Sequence, residues 1–237
     1  MGCCNMGIKT IIKEAASNNP IAKHRRRQMR LALTNHDFSF FTPNCMAGIL
    51  MHDLGLRFLT PTVNLMMKQT DFLQFMLNLD QYLKGEFRFF DHTEYSCPCA
   101  HLHCDGLPDV DVHFIHFHTR EEAERKWRER AERINRDNMF VLLEERDGIT
   151  RTDLERLGSL RAKGVLAFTC NPYPDIPYCV YLPQYHSDGE VGNILKKTIW
   201  DDSREYEHIF DFVKWFNDAD GKSYDVRQFV KNATLSW

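Results

Sequence analysis

Apolar positions along this chain recur with two periods, one of two residues and one near 3.6, and each period predicts an element. Phe38-Ser39-Phe40-Phe41-Thr42 is a short β-type run that Pro43 ends. The loop Asn44 to Gly48 leads into a short apolar segment that stops at Gly55. Phe72, Phe75, Met76, Leu79 and Leu83 share one stripe at helical spacing, with Thr70 or Asp71 as cap and Gly85 as the stop. Phe87 to Phe90 predicts a strand, and Val110 to Phe117 predicts another. Thr119 caps the next helix, Glu122 completes a capping box, and Ala123, Trp127, Ala131 and Ile134 form its buried stripe. Met139 to Leu143 predicts a strand, Asp147-Gly148 a turn, and Thr150 or Thr152 the cap of a helix that runs to Leu160. Gly164 to Phe168 is the following strand, and Tyr178 to Leu182 adds a further one. Ile209, Phe210, Val213 and Phe216 give an amphipathic closing helix.

Strand, helix, strand, helix, strand at these lengths predicts an α/β fold with three layers. Its sheet is mostly parallel or mixed, carries helices on both faces, and has a Rossmann-like βαβαβ second half. Ligands of such sheets sit outside the carboxyl ends of the strands. If the predicted strands are parallel neighbours, one sheet edge gathers Asn44 and Cys45, His116 and His118, Asp147, and Thr169, Cys170 and Asn171.

Length and composition fit this picture. The chain has 237 residues, 43% hydrophobic and 27% charged, which is ordinary for a folded domain of this size. No apolar run reaches the roughly 18 residues of a membrane span, and the start lacks the apolar core of a secretory signal. The expected setting is therefore cytoplasmic, with the eight cysteines as reduced thiols or metal ligands. Met1-Gly2-Cys3-Cys4 looks like a lipidation site, but Met6 stands where myristoylation wants Ser or Thr. Asn232-Ala233-Thr234 is a glycosylation sequon without meaning in that setting.

Charge divides the chain. Residues 1–36 carry a net charge of +6 and the remainder −9. The expected organisation is a basic N-terminal helical extension over residues 1–36 and a single α/β domain over 37–237. The acidic body argues against nucleic acid as a partner. The run Lys23-His24-Arg25-Arg26-Arg27-Gln28-Met29-Arg30 either is a solvated helix face or sits on the inner membrane leaflet or a partner.

Several residue groups bear chemistry. Cys97, Cys99, His101, His103 and Cys104 pack five soft ligands into eight positions, but alternate strand residues lie roughly 7 Å apart, so a turn is needed to close a zinc shell. His116 or His113 suits a general base. Cys45 sits before a helical segment, where a helix N-terminus favours thiolate and a nearby His would make it an acyl-transfer nucleophile. Asp109-Val110-Asp111 is similar to the Asp-x-Asp signature of metal-dependent glycosyltransferases, although it precedes its strand rather than following one. Arg133-Ile134-Asn135-Arg136-Asp137-Asn138 reads as a helix end with Asn caps, or as a hydroxyl-binding set. No dinucleotide, phosphate-loop or serine-elbow motif is present.

Local motifs carry a resemblance over about Asp37 to Phe216. They include Asn44-Cys45 after the first strand, Asp53-Leu54-Gly55-Leu56, Asp71-Phe72, and His113-Phe114-Ile115-His116-Phe117. Arg133-Ile134-Asn135 with Asn138, Arg146-Asp147-Gly148, Pro172-Tyr173-Pro174 and Val213-Lys214-Trp215 continue it. The chain resembles a bacterial family of uncharacterised domains found in capsule and exopolysaccharide gene clusters. The family's first loop reads Ser-Asn-Asn-Cys-Trp-Gly-Gly, against Thr42-Pro43-Asn44-Cys45-Met46-Ala47-Gly48 here, and the Cys97 to Cys104 run is not a family feature. The resemblance implies a step in surface-polysaccharide assembly: a transferase moving an acyl or glycosyl group to a carbohydrate or lipid-linked saccharide. His116 or His113 would be the base, Asp147 would orient it or the acceptor, and Asn44, Asn135 and Asn138 would hold sugar hydroxyls. Asp53, Arg133, Asn171 and Tyr173 join them as substrate contacts. The donor is open between a nucleotide sugar and an acyl-coenzyme A, and the spacing disfavours zinc. The alternatives are a non-catalytic scaffold of the same pathway and a zinc-dependent hydrolase.

Overall fold

The computed structural model describes residues 19–198, 201–220 and 225–231. In chain order, helix α1 (Pro20–Ala32) precedes strand β1 (Ser39–Phe41) and helix α2 (Met46–Leu54). Helices α3 (Gln69–Leu77) and α4 (Leu79–Tyr82) lead to strands β2 (Glu86–Phe90), β3 (Cys99–His103) and β4 (Val110–His113). Then come α5 (Arg120–Ala131), β5 (Met139–Glu144), α6 (Arg151–Leu157), β6 (Gly164–Thr169), β7 (Cys179–Tyr181), α7 (Glu205–Ile209) and α8 (Phe212–Asp218). The fold is a mixed α/β fold of three layers. A four-stranded parallel sheet in the order β1-β5-β6-β7 is accompanied by an antiparallel sheet β2-β3-β4.

The parallel sheet is buried on both faces, so its strands are almost continuously apolar. Their alternation still divides the core in two. Phe40, Phe140, Leu142, Leu166 and Phe168 pack with α2, α7 and α8. Phe41, Val141, Leu143 and Ala167 pack with α3, α5, α6 and the inner face of the small sheet, Ala100, Leu102, Val110 and Val112.

Local signals set the ends of the helices. Thr150 makes a capping box with Asp153, and Thr119 accepts from the Glu122 amide. Gly55, at φ 73°, closes α2 in the left-handed conformation that glycine adopts without penalty. The helix predicted through residue 83 is broken at Asn78, whose φ of −126° leaves the helical region and whose side chain bonds back to the Gln74 carbonyl. Thr70 and Asp71 lie inside α3, because the cap position falls on Lys68.

One strand departs from expectation. Val110 to Phe117 is not a strand of the parallel sheet: β4 ends at His113 and pairs antiparallel with β3. Its polar-apolar alternation, with Asp111 and His113 outward and Val110 and Val112 inward, is the pattern of a sheet with one wet face. The βαβ unit β5-α6-β6 is parallel as expected, and β7 follows β6 through a loop.

Helix α1 packs against α2, buries Ala22 and holds three arginines in contacts with the rest of the chain. Arg25 meets Glu207 at 2.7 Å and Asp201 at 3.3 Å. Arg26 lies 3.8 Å from Asp53, and Arg30 donates to the Asp53 and His52 carbonyls. No helix among the described residues is long and apolar enough to cross a membrane. Met1-Gly2-Cys3-Cys4 and Asn232-Ala233-Thr234 lie outside the described residues.

Gly164 opens β6 where a β-carbon would meet the Phe140 ring and sit 2.8 Å from Trp215 Cζ2. Both rings are held in an aromatic cluster with Phe40 and Phe216, so they have no room to yield. Gly164→Ala is expected to lower stability by about 1–3 kcal/mol, read as a fall in the melting temperature with the secondary structure unchanged.

Candidate functional site

The carboxyl edge of the parallel sheet gathers the polar groups. After β1, Thr42 and Asn44 build the start of α2. The Met46 amide donates to Asn44 Oδ1 at 3.0 Å and the Ala47 amide to Thr42 Oγ1 at 3.1 Å. Both bonds satisfy helix N-terminal donors and leave Cys45 at the N-cap with half-exposed side chain. The helix dipole there favours negative charge on sulfur.

His116 reaches the same place by a loop rather than from a strand end. Phe114 and Phe117 are buried anchors, and the Phe117 amide closes a turn on the Phe114 carbonyl at 2.9 Å. Between them His116 projects to the sheet edge, where Nε2 lies 3.2 Å from Cys45 Sγ. With the ring proton on Nδ1, Nε2 accepts from the thiol. Burial pushes the His116 pKa below its ordinary value, so the neutral, proton-accepting ring persists to lower pH than in a solvated histidine.

Two carboxylates that the sequence reading passed over lie next to the pair, at the end of β5. Glu144 is buried, accepts from Asn44 Nδ2 at 2.9 Å, and receives Gln69 Nε2 at 3.5 Å. Burial drives its pKa up to about 7, against the opposing Asn44 hydrogen bond and the Arg146 charge. Glu145 is also buried, and desolvation pushes it up too. Hydrogen bonds from Tyr173, Asn171 and Cys170 outweigh that and hold it below the usual glutamate range. Tyr173 Oη donates at 2.6 Å, the Cys170 amide at 2.7 Å and the Asn171 amide at 2.9 Å. The available signal was positional: two acidic residues directly follow an apolar strand.

The other expected site residues divide by location. Asp147 stands on the edge in a turn, at φ 53° followed by Gly148 at φ 84°, and accepts from the Gln69 amide at 3.1 Å. Asn171 and Tyr173 are on the edge as well, engaged with Glu145. His118 is exposed. His113 points away from Cys45, into the outer face of the small sheet. It lies 3.7 Å from Cys99 Sγ and packs on Tyr95 and His92. It therefore does not join Cys45 as a base.

Asn135, Asn138, Arg133 and Asp53 are not at the site. Asn135 and Asn138 lie at the amino ends of β1 and β5. There Asn135 donates to the Asp37 carbonyl and Asn138 to Asp37 and Asn35, so both brace the chain. Arg133 lies just past the end of α5, 3.7 Å from Glu129. Asp53 is at the far end of α2 from Cys45, beside Arg26.

The metal set is not assembled either. Cys99, His101 and His103 share one face of β3, but each meets a separate cross-strand partner. His101 is 2.6 Å from Asp111 and His103 is 2.6 Å from Asp109. Among the described residues no three Cys, His, Asp or Glu side chains converge on one metal position. The same pairs occupy Asp109 and Asp111, the carboxylates of the glycosyltransferase-like motif. Two surface clefts lie elsewhere: one beside α1 with Arg25, Tyr206 and Phe212, the other near Leu79, Arg136 and Ser159.

The unfolded chain releases the Glu144 proton near pH 4.5 and the folded chain near pH 7, so the folded state binds more protons across that window and loses stability as pH rises through it. Glu144→Gln removes that dependence. From about pH 5 to about pH 8 its melting temperature is expected to gain on the native chain, by the equivalent of up to about 3 kcal/mol. A constant difference across pH would contradict this assignment.

A family profile described as "Domain of unknown function (DUF1919)" matches residues 16–217. A Haemophilus influenzae protein described as "Uncharacterized protein" is 35% identical over 193 residues, covering 81% of this chain and 90% of that protein.

Proposed function

This chain belongs to the DUF1919 domain family, and we propose that it is a cysteine-dependent acyltransferase in which Cys45 is the nucleophile and His116 the general base. The observation that carries the reading is the 3.2 Å contact between Cys45 Sγ and His116 Nε2 at the N-terminus of α2. Nucleophile and base within hydrogen-bond reach, at a helix end that stabilises thiolate, are the parts that thiol acyl transfer needs.

The steps balance on this chain's own groups. His116 Nε2 takes the Cys45 proton as sulfur attacks the donor's acyl carbon. The new C–S bond expels the donor's leaving group, which takes the proton back from the imidazolium. An acceptor hydroxyl then attacks the thioester, giving its proton to Nε2, and the C–S bond breaks as sulfur takes that proton from the imidazolium, restoring the thiol and the neutral ring.

We assign the acceptor as a carbohydrate or lipid-linked saccharide hydroxyl in capsule or exopolysaccharide assembly, on the resemblance of the family motifs. An acyl-coenzyme A is the fitting donor class. The glycosyl alternative has less support, since Asp109 and Asp111 are paired with histidines. The scaffold alternative needs a freely presented basic stretch, whereas Arg25, Arg26 and Arg30 are engaged within the chain. A cytoplasmic setting with contact to the inner leaflet fits the outer face of α1, where Ile21 and Leu31 are exposed.

Incubation with a panel of acyl thioesters and intact-mass analysis tests the reading. One acyl adduct is expected, mapping to Cys45 and absent in Cys45→Ser. His116→Ala is expected to slow acylation roughly 100-fold or more. An adduct that persists in Cys45→Ser, or acylation unaffected by His116→Ala, would overturn it.

A further inference from the structure

Asn44 bridges the nucleophile's helix and the end of β5 with one side-chain amide. Its Oδ1 accepts from the Met46 amide at 3.0 Å, and its Nδ2 donates to Glu144 Oε1 at 2.9 Å. Glu144 is itself fixed by Gln69, whose Oε1 accepts from the Glu144 amide at 2.9 Å. Glu144 is 1% exposed. A buried carboxylate is costly unless its hydrogen bonds do something that an apolar residue would not. Here they orient the residue immediately before Cys45.

From this geometry we infer that Glu144 is a positioning residue for the nucleophile: through Asn44 it fixes the first turn of α2, so that Cys45 Sγ stays within reach of His116 Nε2. The inference rests on the cysteine reading and adds to it a residue that touches neither the sulfur nor the imidazole. The charged and titratable groups facing Glu144 are Arg146 at 3.9 Å, Asp147 in the following turn, and Tyr185, with Cys45 and His116 beyond Asn44. Arg146 is too far for a hydrogen bond, so Asn44 and Gln69 hold the carboxylate.

The experiment needs no substrate. The folded full-length chain is alkylated with iodoacetamide, and labelling of each cysteine is followed by peptide mass spectrometry. Cys170 and Cys179, both fully buried, report whether the fold has opened. Loss of positioning is expected to slow Cys45 labelling roughly tenfold or more in Glu144→Ala. Glu144→Gln, which keeps an acceptor for Asn44, restores most of the rate. Asn44→Ala behaves like Glu144→Ala, and the double variant is no slower than either single one, because both remove the same connection. Cys45 labelled at the native rate in Glu144→Ala, with Cys170 and Cys179 silent, would overturn the inference, as would additive Asn44 and Glu144 effects. Where Glu144→Ala exposes Cys170 or Cys179, Asn44→Ala and Glu144→Gln decide in its place: native-rate labelling in Asn44→Ala, or no greater rate in Glu144→Gln than in Asn44→Ala, overturns it. If His116→Ala leaves Cys45 labelling unchanged in the otherwise native chain, the cysteine reading fails, and this inference with it.

Discussion

The segment Met66–Gln69 fixes where the groups of the site can stand. Met66 exchanges both backbone hydrogen bonds with His113, at 2.8 and 2.9 Å, which ties down the end of β4 just before the His116 loop. The Met67 amide donates to the Pro43 carbonyl at 2.8 Å, which ties down the loop just before Cys45. Gln69 then reaches the third partner, bonding Glu144 with its side chain and Asp147 with its amide. One short stretch therefore joins the small antiparallel sheet, the first parallel strand and the central parallel strand. The Cys45–His116 contact is a product of that connection, because Cys45 follows a strand of the parallel sheet and His116 follows a strand of the antiparallel one.

The electrostatics of the edge follow from the same construction. Glu144 and Glu145 are consecutive, so they leave β5 on opposite faces. Glu144 meets few donors, and burial raises it into the neutral range. Glu145 meets the amides and side chains of Cys170 and Asn171 and the Tyr173 hydroxyl, and remains ionised. Environments that push two neighbouring carboxylates apart are a mark of working sites. Here, however, Glu145 serves as a brace that joins the end of β5 to the loop after β6.

Much of this was legible in the sequence. The apolar runs of β1, β5, β6 and β7 stand out because strands buried on both faces carry little polarity, and Thr119 and Thr150 mark helix starts through their own hydrogen bonding. Cys45 before a helix was visible for the same local reason. The partner of Cys45 was harder to place. His113 ends β4 and His116 follows it three residues later, and only the antiparallel pairing of β4 decides that His113 faces outward while the loop carries His116 across. Asn135 and Asn138 looked suited to sugar hydroxyls, but spacing along the chain does not tell the amino end of a sheet from the carboxyl end. The Cys97 to His103 run has metal-binding composition without convergence, since a strand spreads alternate residues along its length and Asp109 and Asp111 stand opposite.

The central claim is that Cys45 and His116 act as a pair. Trace labelling of the eight cysteines with sub-stoichiometric iodoacetamide tests it most directly, because Cys45, Cys97 and Cys104 are all partly exposed. The account predicts that Cys45 takes the label well ahead of Cys97 and Cys104, and that His116→Ala removes this lead. Label shared among the three according to exposure, and unaltered by His116→Ala, would contradict it.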